Sequence, residues 1–354
     1  MAAEKTSKLS EAYPMKAGDG PNSYAKNSAY QKGVVGAAKE LLNRAIAEKL
    51  DVEIFLSSNT FHIADLGCSV GPNTFLSVEN ILEAVEFKYQ GQGFNSQIPE
   101  FQYKGTLLFT QSRRYYAAGV PGSFYCRIFA NASIHLVHSS YALHWHSRVP
   151  KEVVDIDSPA WNKGRIHYSN STEEVVRAYE VQYAEDMECF LHARAQEIVY
   201  GGLMVLIIPG RPNGTPHSRT SLNVVYQLLG SCLMDLARKG VVRDEKVDSF
   251  NIPIYNTSPR ELQAAVEKNG CFSTEKMENL PHISAFDIEN VTRRAQLIAY
   301  HVRAATEGLI KQQFGDEILD ELFGLYSKKL EQQPSIFESV KAINFLVVLK
   351  CKAT

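Results

Sequence analysis

The run F-H-I-A-D-L at Phe61–Leu66, followed by Gly67 and then by Asn73 and Thr74, constrains this chain more than any other stretch. Short, β-branched and apolar, it reads as a strand ending in an acid and a glycine, and the helical period after it reaches about Tyr89. Strand, glycine turn and helix in that order begin a mostly parallel α/β sheet. Further short apolar runs at Ile134–His138 and Leu203–Ile208 extend it, and Ile343–Lys350 closes it. Upstream, Val34, Val35, Ala38, Leu41, Leu42, Ala45, Ile46 and Leu50 recur at helical spacing, predicting an amphipathic helix over 28–50 with Asn27 or Ser28 as cap. Glu173–Val199 reads as one long helix, and Val291–Leu330 is helical in period. Met15–Tyr24 is a turn-prone arm, too polar to be core. The stretches 150–172, 215–240 and 287–330 fall outside a minimal α/β core and read as a lid over it.

The turn D-L-G-C-S-V-G-P-N, Asp65–Asn73, lies at the carboxyl end of its strand, where open α/β sheets bind ligands. It is neither G-x-G-x-x-G nor a phosphate-binding P-loop. An acid followed by glycines suits S-adenosylmethionine, whose ammonium needs a carboxylate (Asp65) and whose adenosine needs close backbone approach. A purely structural turn with Asp65 capping the helix fits the same residues. So does G-x-S-x-G, the nucleophile elbow of serine hydrolases, with Ser69 as nucleophile. Against the elbow, only an arm and one helix precede the strand, and no H-G-G-G oxyanion element occurs.

Composition narrows the partners. With 37 basic and 39 acidic residues the net charge is -2, and no dense Lys/Arg stripe is present, so nucleic acid is excluded as a partner. The six cysteines stand far apart, without zinc-ligand spacing, as reduced thiols of a cytoplasmic protein do. The start, M-A-A-E-K-T-S-K, has no apolar signal core, and Leu203–Ile208 falls far short of the ~20 residues that cross a bilayer, so no membrane association is expected.

Several motifs then occur in order: M-K-A-G-D-G-P-N-S-Y-A-K-N-S-A-Y-Q (Met15–Gln31), A-D-L-G-C-S-V-G-P-N (Ala64–Asn73), G-V-P-G-S-F-Y (Gly119–Tyr125), S-S-Y-A-L-H-W (Ser139–Trp145), R-A-Q-E-I-V-Y-G-G (Arg194–Gly202) and D-S-F-N-I-P (Asp248–Pro253). Together they resemble the plant salicylate, benzoate and theobromine methyltransferases, the SABATH family, along nearly the whole chain. Tyr141–Lys151 and Asn162–Tyr168 look most like its loganic acid methyltransferase branch.

The resemblance implies a Rossmann-like class I methyltransferase core, a mostly parallel seven-strand sheet with an α-helical cap. Residues 1–60 would be an arm and helix closing the site, 61–210 the cofactor-binding core, and 211–354 cap segments plus the last core strands, with 150–172 added to the cap. It implies methyl transfer from S-adenosylmethionine to a carboxyl oxygen of a small acid, or alternatively to a ring nitrogen of a xanthine. Carried over by motif position, Tyr24, Ser28, Asp65, Cys68, Asn73, Ser123 and Phe124 bind the cofactor. Asn27, Gln31, Tyr141, His144, Trp145 and Tyr226 meet the acceptor, with Pro209 and Val302 as further walls. Gln31 and Trp145 are the catalytic pair, since neutral N–H donors can hold a carboxylate without quenching its nucleophilicity. His144 would add an ionisable donor. Asn162, Asp248, the Phe250 carbonyl and Asn251 match a magnesium site of some members, and a homodimer is expected.

One departure stands out. Members follow the second strand with an N-D-x-x-x-N-D-F segment whose aspartate holds the ribose hydroxyls. This chain instead reads F-Q-Y-K-G-T-L-L-F-T-Q-S-R-R-Y-Y after Glu100, a shorter stretch, with no further acid before Glu152. A charged hydrogen bond of this kind contributes roughly 1.5–3 kcal/mol. The expectation is a surviving fold with weakened cofactor binding, or an impaired enzyme, unless Glu100 takes over the role.

Overall fold

In the computed structural model, residues 13–104, 115–283, 286, 288–334 and 342–353 are described. The extreme start and the shortened stretch 105–114 lie outside them. In chain order the elements are α1 (Tyr24–Asn27), α2 (Ala29–Lys49), β1 (Thr60–Asp65), α3 (Asn73–Gly91), β2 (Glu100–Lys104), β3 (Tyr115–Ala118), β4 (Ile134–Ser140), α4 (Glu173–Glu197), β5 (Ile198–Gly210), α5 (Ser221–Arg238), α6 (Asp244–Asp248), α7 (Pro259–Asn269), β6 (Phe272–Asn279), α8 (Val291–Phe314), α9 (Leu319–Gln332) and β7 (Ile343–Cys351). The strands form one seven-stranded sheet in the order β3-β2-β1-β4-β5-β7-β6. Only β7 runs against its neighbours.

Alternation along the central strands builds two cores. In β5, Leu203, Val205 and Ile207 face α2 and α3, where they join Val34, Leu42, Ile46 and Val85. Met204, Leu206 and Ile208 face the other way, toward Tyr179 and Phe190 of α4 and Leu262 of α7. Burying each such side chain contributes ~1.5–3 kcal/mol, which holds this register, since a one-residue slip would exchange the faces. A third apolar cluster joins α5, α8 and α9 and reaches Trp145 and Ile254. That is the cap, and it meets the sheet at the carboxyl end of β4. No helix among the described residues is long and apolar enough to cross a membrane.

Two boundaries and one strand differ from the sequence reading. The long helix stops at Glu197, because the β-branched Ile198 and Val199 pass into β5, whose pairing with β4 skips a register before Leu203. The stretch 291–330 is two helices separated at Gly315, whose φ is 93°. Strand β6, F-S-T-E-K-M-E-N, carries no apolar run because it is a sheet edge, where charged side chains discourage pairing with another chain. The second strand survives the shortening: all of β2 pairs with β1 or β3, from Thr60↔Glu100 to Ala64↔Lys104.

Candidate active site

Strand β1 delivers Asp65 to its carboxyl end, and the chain turns at Gly67 with φ of 72°. A side chain there would run into Ala142 Cβ and stand 3.2 Å from the Phe124 ring, so dihedral and packing both demand glycine. The turn borders a cleft of about 560 Å³, within the ~300–1,000 Å³ usual for small-molecule sites. Tyr24, Asp65, Cys68, Asn73, Ser123 and Phe124 line it. Ser28 stands one layer back: Asn73 Nδ2 donates to its Oγ at 3.0 Å and to its carbonyl at 3.2 Å.

Asp65 is buried, and its two oxygens are held from different sides. His138 Nδ1 lies 2.8 Å from Oδ1, and Thr74 Oγ1 donates to Oδ2. The Tyr103 hydroxyl, 3.0 Å from Thr74 Oγ1, extends the network. A carboxylate has about four acceptor positions, so each oxygen keeps one for a ligand cation. His138, Thr74 and Tyr103 escaped the sequence reading. The available signal for His138 was strand pairing, since it stands in β4 directly opposite Asp65.

The segment carrying Ser123 and Phe124 is clamped from beneath by a fully buried ion pair, Arg194 and Glu197, 2.6 Å apart at the end of α4. Arg194 donates to the carbonyls of Phe124 and Cys126, each at 2.9 Å. Glu197 Oε1 accepts from the backbone N–H groups of Ile128 and Phe129 at 2.5 and 2.7 Å. The motif R-A-Q-E is thereby a support for this wall of the cleft.

Beside the cleft lies a smaller chamber of about 40 Å³. Met15, Tyr24, Gln31, Tyr141 and Trp145 border both spaces. His144, Tyr226, Asn256 and His301 close the chamber toward the cap. Tyr13 stacks on Trp145, ring centroids 6.1 Å apart, and Lys16 pairs with Glu307, so the arm lies across the site. Asn27 is turned elsewhere: its side-chain amide donates to the carbonyls of Pro21 and Ser23 at 2.7 and 2.8 Å, while its backbone carbonyl lies 3.0 Å from His301 Nδ1. Pro209 sits in β5 opposite Asn344, and Val302 is buried in the cap; neither borders the chamber.

Burial sets the electrostatics. His144 is held down to about 3, chiefly by burial and then by His301, and His301 itself lies below its ordinary value because it is buried. His144 is therefore a neutral imidazole, not the ionisable donor expected of it. Burial also raises Tyr24 to about 12 and pushes Tyr141 and Tyr226 upward. The described residues bordering the chamber thus present only neutral side chains at pH 7.

Three of the expected metal residues, Asn162, Asp248 and Asn251, already accept hydrogen bonds from neighbouring groups. Asn162 Nδ2 donates to Asn251 Oδ1 at 2.6 Å, Ser171 Oγ donates to Asn162 Oδ1 at 2.6 Å, and the Gly164 N–H donates to Asp248 Oδ1 at 2.7 Å. Glu100 starts β2 opposite Thr60, at the far end of the strand from Asp65, and is exposed. It cannot replace a ribose acid. At the near end of β2, bordering the cleft, stands Lys104. For the hydrolase alternative, Ser69 does have a strained φ of 54°, but its buried Oγ has no hydrogen-bond partner and hence no base to activate it.

Comparison with known proteins accounts for this arrangement. The chain matches the profile of the SAM dependent carboxyl methyltransferases over residues 10–104 and 103–352, two pieces that meet where the sequence runs short. It is 46% identical to loganic acid O-methyltransferase of Catharanthus roseus, covering 97% of this chain and 95% of that protein. With the farnesoic acid carboxyl-O-methyltransferase of Arabidopsis thaliana it shares 39% identity over 97% of this chain and 99% of the relative. A solved structure of loganic acid methyltransferase with SAH superposes with a TM-score of 0.90 at 44% identity, covering 96% and 99% of the two chains. Sheet order, glycine turn and sequence agree, and the chain belongs to the family of SAM dependent carboxyl methyltransferases.

Proposed function

We propose that this enzyme makes the methyl ester of a small carboxylic acid whose carboxylate lies between Gln31 and Trp145. The observation that carries the reading is that these two side chains border both the cofactor cleft and the acceptor chamber. A group held by both stands at the junction of the two spaces, where a methyl must cross.

The cleft suits the donor: a buried carboxylate for an ammonium, a glycine turn for close approach, and the Phe124 ring for an adenine face. S-adenosylmethionine, when bound, supplies a methyl on cationic sulfur; the carboxylate oxygen forms the O–CH3 bond with its own electron pair as the S–CH3 bond breaks, leaving a neutral thioether. No proton changes hands, so the chain needs no general base, and an acid is already ionised at neutral pH. What the protein contributes is position and dryness. Gln31 Nε2 and the Trp145 indole N–H orient the acid as neutral donors, while Tyr141, fixed by its hydrogen bond to Asn344, walls off water.

Asn162, Asp248 and Asn251 already accept hydrogen bonds from neighbouring groups, so this reading treats the cluster as structural and routes no step through a metal. The resemblance supports a homodimer working in the cytosol, which light scattering and localisation of the tagged protein test.

A panel of carboxylic acids set against xanthines, with native enzyme and the Trp145→Phe variant, tests the function. Ester formation from acids, lowered about ten- to a hundredfold in Trp145→Phe by loss of a donor to a charged oxygen, is expected, on a scale of roughly 1.5–3 kcal/mol for such a bond. Methylation of xanthines alone, or an indifferent variant, would overturn it.

A further inference from the structure

Gln31 and Trp145 reach the junction of the two spaces on different elements. Gln31 belongs to α2, whereas Tyr141 and Trp145 belong to the segment after β4. The separation of these elements sets where a held carboxylate stands relative to the methyl. A residue that borders neither space ties them together: Asn344, at the start of β7. Its Nδ2 donates to the Tyr30 hydroxyl of α2 at 2.9 Å, and its Oδ1 accepts from the Tyr141 hydroxyl. Tyr30 precedes Gln31 in the chain, and Tyr141 borders both spaces.

Tyr141 needs such a hold. Its φ of 57° puts a bulky side chain in the left-handed region, a conformation that persists only where the surroundings enforce it. Its backbone N–H is tied to the Ile207 carbonyl at 3.0 Å, and Asn344 fixes the hydroxyl at the other end. Burial, and then Tyr30 beside it, push that hydroxyl's pKa upward, so it stays a neutral donor. Asn344 is itself anchored in the sheet. It stands opposite Pro209 of β5, and its backbone carbonyl accepts from the Leu280 N–H at 2.7 Å. The other arm of the bridge is equally fixed: the Tyr30 ring stacks on Phe286 at 5.3 Å and meets the Tyr141 ring edge-on at 6.0 Å. A shift of Asn344 therefore passes to both walls.

We infer that Asn344 is a positioning residue for methyl transfer, setting the separation of Gln31 and Trp145 through Tyr30 and Tyr141. The inference rests on the carboxylate reading above and deepens it. Misplacing reacting groups by about 1 Å can slow a reaction about a hundredfold. The loss falls on kcat, because the donor is bound elsewhere, at Asp65 and the glycine turn, whereas alignment matters in the transition state.

The test compares full-length native enzyme and variants on the panel acid that native enzyme esterifies fastest, at saturating S-adenosylmethionine. Calorimetry with S-adenosylhomocysteine and thermal unfolding run alongside. Asn344→Leu is expected to lower kcat at least about tenfold, while KM for S-adenosylmethionine and affinity for S-adenosylhomocysteine stay within about threefold. Asn344→Asp can accept from Tyr141 with one oxygen and from Tyr30 with the other, and should keep kcat within about threefold of native. Tyr30→Phe cuts one arm and should lower kcat by about three- to tenfold, with no further loss when combined with Asn344→Leu, since both break one bridge. A native kcat in Asn344→Leu or in Tyr30→Phe would overturn the inference. So would losses that add in the double variant, or a fall in kcat matched by an equal fall in S-adenosylhomocysteine affinity, which marks a merely structural role. If Asn344→Leu does not fold, Tyr30→Phe and Asn344→Asp decide by the same limits. Each of these outcomes leaves the carboxylate reading standing. Native protein that binds S-adenosylhomocysteine but esterifies no acid would overturn that reading and the inference with it.

Discussion

Replacing Lys104 with glutamate should tighten the cofactor. The register Ala64↔Lys104 sets this lysine at the carboxyl end of β2, one step from Asp65 at the end of β1, on the wall of the cleft. In open α/β nucleotide sites a carboxylate near this place accepts hydrogen bonds from the ribose hydroxyls. An ammonium has three donors and no acceptor, so it cannot take that role. Here it stands 5.7 Å over the Phe129 ring instead. A hydrogen bond from a neutral hydroxyl to a carboxylate contributes roughly 1.5–3 kcal/mol. Lys104 is half-exposed, so solvent screening favours the lower half of that range. A gain of about ten- to thirtyfold in affinity for S-adenosylhomocysteine follows for Lys104→Glu at ~1.4 kcal/mol per decade, with Lys104→Met changed by less than about threefold. Calorimetric titration reads both. The 2′-deoxyribose analogue separates causes: native protein should bind it about as well as the parent compound, whereas Lys104→Glu should lose its gain. A Glu variant no tighter than native protein, or a Met variant weakened tenfold, would refute the reasoning by showing that the lysine itself contributes to binding.

Removing the charge of Glu197 by Glu197→Gln leaves Arg194 buried without its counter-ion, a cost of ~3–5 kcal/mol. The midpoint of thermal unfolding should drop by several degrees and S-adenosylhomocysteine should bind more weakly, because the clamp carries the Phe124 wall; unchanged values of both would refute the clamp. Acid should destabilise the fold well before the carboxylates titrate. Burial holds His144, His146 and His167 near about 3, and His135 and His217 near about 4, against 6.5 for the free side chain. Below pH 6.5 the unfolded chain binds protons that the folded chain refuses. Stability is thus fully present above pH 6.5 and is lost as pH falls toward 4, by up to ~1.4 kcal/mol per pH unit for each histidine. Unfolding midpoints should be level from pH 8 to 7 and decline steeply from 6.5 to 5; a level profile down to pH 5 would contradict the burial.

Legibility in the sequence followed locality. Asp65, Gly67 and Asn73 belong to one strand and one turn, so their grouping is visible along the chain. Gln31, Tyr141, His144, Trp145 and Tyr226 were placed by resemblance, and the chamber does gather them. Contacts that depend on register or on distant elements stayed hidden. His138 meets Asp65 because β4 lies beside β1, and Asn256 meets the chamber through Asn223, a residue of α5. Asn27 and Ser28 lie close to the site, but the side chain of the first ties down the arm and that of the second braces Asn73; direction, which sequence spacing does not give, decides their roles. Edge strand β6 was illegible for the opposite reason, since an edge is kept polar and has no apolar run to show.

The shortening after β2 and the selection of the acid fall on different parts of this sheet. Lys104 and the end of β2 border the cleft but not the chamber, while the chamber is made by α1, α2, the segment following β4, α5, α8 and the strand-like stretch around Ile254. Whatever the missing acid removes is binding made equally to the donor before and during transfer, because the ribose lies away from the reacting methyl. Such uniform binding appears in KM and leaves kcat alone. The chain should therefore show a raised KM for S-adenosylmethionine, an ordinary kcat, and acceptor selectivity unaffected by any residue put at 104. A depressed kcat at saturating donor would mean that the shortening reaches the junction at Gln31 and Trp145, the latter carried by the segment after β4, which β1 separates from β2.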